Sequence, residues 1–233
     1  MNAALLINHF ALPALACAAL LTTGCSGKNA PQDRRMTNGV PLALDDELQN
    51  RKDGKWYWRD TTNLFNGIEV LHHTNGVIKL QLPFTNGLPH GHRMMWHPNG
   101  ENESQGDYVD GQRSGLWETW FANGKPDKKG MFVNGKATGL QTFWHTNGVK
   151  SIEWFYKDGY PHGEMTRYHE NGVKQQHGFY ETNRQHGKWI AWDENGRQIR
   201  EAEFDKGKLI SEKILEGPPK NNEAKPTPQG SDG

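Results

Sequence analysis

Six Asn-Gly pairs stand 24 residues apart without a single insertion: Asn75-Gly76, Asn99-Gly100, Asn123-Gly124, Asn147-Gly148, Asn171-Gly172 and Asn195-Gly196. Phased pairs leave few folds open, because each must do the same job in the same local structure. Asn-Gly between two aromatic-rich runs is the strongest short-range hairpin signal, since a type I′ turn needs positive φ at both central residues. The pairs therefore predict one β-hairpin per repeat. Places are counted here from the glycine that opens each segment: Gly67, Gly91, Gly115, Gly139, Gly163 and Gly187. The sixth place holds Trp96, Trp120, Trp144, Tyr168 and Trp192, and fails only at His72. The eighteenth is always Phe or Tyr, and the twenty-first is Gly in every segment but one, where Asn183 can also adopt positive φ.

A turn at that twenty-first place would join each hairpin to the next. The expected fold is all-β: an elongated single-layer antiparallel meander of six 24-residue hairpin repeats over residues 67–210. At ~4.8 Å per strand it should span about 55–60 Å. Residues 54–66 open with Gly54 and Trp56 but lose the spacing, and read as a degenerate cap protecting the sheet edge. The polar stretch 25–53, with Pro31 and Pro41, reads as a tether, and the Pro-rich stretch 211–233 as a disordered tail.

Residues 1–24 carry no Lys, Arg, Asp or Glu and include an apolar run from Phe10 to Leu21, the pattern of a signal peptide. A cysteine following a small residue at the end of such a run resembles the lipobox of bacterial lipoproteins. That resemblance implies lipidation at Cys25. Ala14-Leu15-Ala16-Cys17 is a competing match, but apolar residues continue past it; an ordinary cleaved signal or an uncleaved anchor are the other readings. The chain has 2 cysteines, both within or ending this segment, so the exported part has no disulfide and no thiolate metal site. Lys+Arg and Asp+Glu are both 27, and this balance gives no reason to expect nucleic acid as a partner.

The pattern G-x-W-x-x-W-x-x-N-G in Gly115–Gly124 and Gly187–Gly196 is followed by Phe132 and Gly135 in one segment and by Phe204 and Gly207 in the other. It resembles the MORN repeat, in the shorter bacterial variant of YwqK-type antitoxin-like proteins. The resemblance implies a sheet of hairpins that holds partners together, and no reaction. Enzyme signatures are absent: there is no G-x-S-x-G, no H-E-x-x-H and no phosphate-binding glycine loop. Glu118, Glu153 and Glu164 fall at different places of the repeat, which gives no convergent pair for acid–base work. Histidines recur at the seventh place (His73, His97, His145, His169) and at the twenty-fourth (His90, His162, His186). Equivalent positions lie two strands apart, about 9–10 Å, too far for imidazoles to share a metal easily. No enzyme activity, cofactor or metal is expected.

The expected function is a membrane-anchored repeat scaffold for protein–protein interaction on the outer side of a bacterial membrane, at the outer membrane or the periplasmic face. Its partner is an unknown protein. The alternatives are glycan or peptidoglycan binding through the aromatic stripe, making cell-wall glycan a possible partner, and an antitoxin or immunity role. The sixth-place rings and the turn glycines Gly100, Gly124, Gly148, Gly172 and Gly196 are expected to be structural. Alternation then turns the seventh-place residues His97, Phe121, His145 and His169 to the opposite side, as an exposed candidate binding face.

Overall fold

The computed structural model describes residues 36–37, 39–44 and 46–215. The signal segment, Cys25 and residues 216–233 lie outside the described residues. The fold is all-β, an elongated meander-like sheet whose strands follow the order of the chain. From Gly67–His72 to Lys208–Ile214 each main strand pairs antiparallel with the next. The opening glycines have a specific use. Ser114 faces Asp107 and Trp117 faces Gly106, so Gly115 and Leu116 form a bulge, with Gly115 at φ 70°.

The two turn types are the reverse of the sequence expectation. At Asn147-Gly148 only the glycine has positive φ (88°), and the loop closes with His145 N–H donating to the Val149 carbonyl (2.8 Å) and Gly148 N–H to the His145 carbonyl (2.8 Å). This is a three-residue loop ending in a left-handed glycine rather than a type I′ turn. The reason lies in the asparagine side chain, whose Oδ1 accepts from Val149 N–H at 2.9 Å and so makes its own turn. Two-residue turns with both central φ positive occur instead at the second glycine: Asn134 (49°) with Gly135 (74°), and Asp158 (53°) with Gly159 (87°). The same turn at Thr182 (47°) and Asn183 (64°) puts a β-branched residue in the left-handed region, where it is strained.

The N-terminal boundary is also corrected. Val40–Leu44, assigned to the tether, is a strand that pairs in parallel with Gly67–His72 and covers the sheet edge. Leu48–Asn50 pairs with Trp56–Trp58 in a separate two-stranded sheet. Ala43, Leu48, Trp58 and Phe65 are buried in one cluster with Phe84 of the first hairpin, so this end is more than a single layer. Average polarity hid the segment, although its apolar residues Leu42, Leu44 and Leu48 are closely spaced. At the other end the last strand runs to Ile214, past the residue 210 boundary.

Packing along the sheet follows volume. Third-place Trp189 is 2% exposed and sits between the eighteenth-place rings Tyr180 and Phe204, with centroids at 5.2 and 6.2 Å. Its cross-strand neighbours are small: Ala202 faces it, and a Cβ on Gly178 would lie 2.2 Å from the indole. Trp117 repeats this between Tyr108 and Phe132, with Gly106 and Gly130 opposite. In the hairpin between them the order inverts. Trp154, at the sixteenth place, faces Gln141 and Met165. A large ring on one strand needs small or flexible neighbours on both adjacent strands.

Candidate functional site

The seventh place is not an open row. His97, Phe121, His145 and His169 are half-buried, and the histidines act as clasps between hairpins. Nε2 donates to the carbonyl of the sixth-place residue one repeat later: His73 to Trp96 (2.7 Å), His97 to Trp120 (2.8 Å), His145 to Tyr168 (3.0 Å) and His169 to Trp192 (2.9 Å). The asparagine of each turn reinforces this step. Asn99 Nδ2 donates to the Ala122 carbonyl at 2.8 Å and Asn147 Nδ2 to the Glu170 carbonyl at 2.8 Å. These residues lie just past the strand ends, where the turn curls the side chains onto the next hairpin, which alternation does not describe. In the last hairpin the seventh place is Asp193, which bonds within its own turn, accepting from Asn195 N–H (3.1 Å) and Arg197 N–H (2.9 Å).

The sixth-place residues Trp96, Trp120, Trp144, Tyr168 and Trp192 are half-buried, whereas Trp117 and Trp189, at the third place, are buried. Tyr168 also bonds across the sheet, its hydroxyl donating to Glu153 at 2.7 Å. Burial and that bond push the Tyr168 phenol up to about 12. Burial raises Glu153 as well, but bonds from Lys150 and Tyr168 outweigh it and leave the carboxyl below its ordinary value. These groups brace the sheet.

The face opposite the third-place rings carries an exposed apolar row. Leu116 pairs with Met131 and Leu140 with Phe155, and Phe179 continues the row opposite Glu164. These five apolar side chains are each 40–43% exposed. Polar pairs close both ends, His92 with Asp107 (2.8 Å) before it and Lys188 opposite Glu203 after it. Sequence reading passed over this row because it occupies the second and seventeenth places, which are not apolar throughout: His92, Glu164 and Lys188 hold the second, and Asp107 and Glu203 the seventeenth.

A profile of the family described as MORN repeat variant matches residues 113–134, 137–158 and 161–182. Residues 113–182 are similar to three consecutive MORN-variant repeats. Each MORN match begins 24 residues after the last, the period of the clasps, and the three together carry the whole apolar row. MORN repeats of this kind build a repeat scaffold for protein or membrane interaction. No curated protein matches the chain.

Proposed function

We propose that the chain is a non-catalytic docking scaffold that binds a protein partner on the face bearing Leu116, Met131, Leu140, Phe155 and Phe179. The observation that carries this reading is the row itself, since a contiguous apolar patch rimmed by polar pairs marks an interaction surface. Glycan binding would need rings with free faces; Trp117 and Trp189 are enclosed by neighbouring rings, which leaves the half-buried sixth-place rings to carry that alternative. An antitoxin role has no support beyond the resemblance of the repeats. The test places a photo-crosslinking residue at Leu140 in living cells, with a second at Arg184 as reference. A discrete protein adduct from position 140 that disappears with Phe179→Glu is the expected result; retention of the protein on purified peptidoglycan, with no adduct at 140, would overturn the scaffold reading.

The scaffold is held at the outer side of a bacterial membrane by acyl chains on Cys25, in a reading that rests on the uncharged apolar leader before that cysteine. Acyl chains contribute about 0.8 kcal/mol per buried CH₂. Cys25→Ser should therefore move the protein from the membrane to the soluble fraction. A variant that is still cut and still membrane-bound would refute the anchor.

A further inference from the structure

The third-place column reads Glu69, Arg93, Trp117, Gln141, Met165 and Trp189, so Trp117 stands between two polar side chains, Arg93 and Gln141. The strands between them carry Gly106 and Gly130, so one indole and two polar side chains occupy room that rings fill elsewhere. The result is a cleft of about 520 Å³ walled by Met95, Phe121, Phe132 and Phe143, within the size range of small-molecule sites. Phe121 is also where the clasp histidine is missing.

Its charges are unequally served. The carboxylates have partners: Asp127 accepts from Thr119 Oγ1 at 2.9 Å and lies 3.9 Å from Lys128, while Glu103 lies 4.0 Å from His97. Neither guanidinium makes a carboxylate ion pair within 4 Å among the described residues, although the Glu103 charge acts on Arg93. Arg93 donates to Ser104 Oγ (2.9 Å) and touches the Met95 sulfur, and both Arg93 and Arg113 lie over the Trp117 ring, at 5.7 and 4.4 Å. Burial, and then the nearby Arg113 charge, pull Arg93 below its ordinary value. Two cations lie over one indole, and the exposed Arg113 guanidinium has no protein acceptor among the described residues, so its fork is available to an anion.

We propose that this cleft binds an organic carboxylate, its oxygens paired with the exposed Arg113 fork under the added field of Arg93, and its apolar body against Phe121 and Phe143. A planar two-oxygen acceptor suits the guanidinium fork. A doubly charged phosphate does not suit it as well, because Glu103 and Asp127 line the same cleft and repel the second charge. The site lies on the face opposite the docking row and does not depend on that reading.

The test titrates the soluble chain, residues 26–233, with phenylacetate, with its neutral isostere phenylacetamide and with inorganic phosphate, following the Trp117 indole N–H by NMR. Phenylacetate should bind saturably and about tenfold or more tighter than the amide, and Arg113→Gln should reduce it to the level of the amide. Arg113 is exposed and makes only ring contacts, so this variant should keep the parent's melting temperature. Arg184→Gln, remote from the cleft, should change nothing. Absence of phenylacetate binding, equal affinity for acid and amide, an unaffected Arg113→Gln variant, or tighter binding of phosphate would each overturn the proposal.

Discussion

Trp189→Ala should lower stability by about 3–5 kcal/mol, the cost of emptying a buried aromatic site. The cavity cannot collapse easily. Tyr180 and Phe204 flank the indole on two strands, and the Gly178 and Ala202 backbones lie beneath it. Trp120→Ala, at the half-buried sixth place, should cost clearly less, although it removes the same side chain. Thermal or urea unfolding of the two variants decides the matter; equal losses would mean that the third-place column is not the core of the sheet.

Gly178→Ala is the second large effect. A Cβ there would sit 2.2 Å from the Trp189 indole, a rigid ring with neighbours on both sides, so the added methyl has to displace a strand. Overpacking of this kind costs about 1–3 kcal/mol. Gly130→Ala makes the better comparison than any turn glycine, because it occupies the same repeat place without positive φ. Its Cβ would meet the end of the Gln141 side chain, which can swing away at the loss of bonds to the Met131 and Thr138 carbonyls (3.1 and 3.0 Å). The Gly178 variant should therefore melt at the lower temperature. The reverse order would show that the indole, not the amide, is the neighbour able to yield.

The hairpin period was legible because turn glycines and strand rings recur by necessity, and a chain of identical rungs repeats its exceptions as faithfully as its rules. Turn chemistry was misread for a physical reason. Asn-Gly is compatible with two loops, and what selects the wider one is a bond from the Asn147 side chain to its own backbone together with a second to the next hairpin. The seventh-place histidines were placed on a face by alternation, which holds along a strand but fails at His145, where the chain has already entered the turn. Val40–Leu44 was missed because pairing with a distant strand is a tertiary fact. The cleft was readable in principle: the sixteenth-place glycines Gly106 and Gly130 leave room on the strands beside the third-place Trp117, whose column neighbours Arg93 and Gln141 are polar.

Asp193 gives the array a direction. Every histidine clasp reaches forward from one hairpin to the next, a hand held out to a carbonyl of the following rung, and at Phe121, which has no such histidine, Asn123 reaches forward, to the Thr146 carbonyl. Asp193 folds that hand back on its own turn. A rung spliced in upstream would find both a hand behind and a carbonyl ahead, whereas among the described residues no seventh-place side chain reaches forward from Asp193.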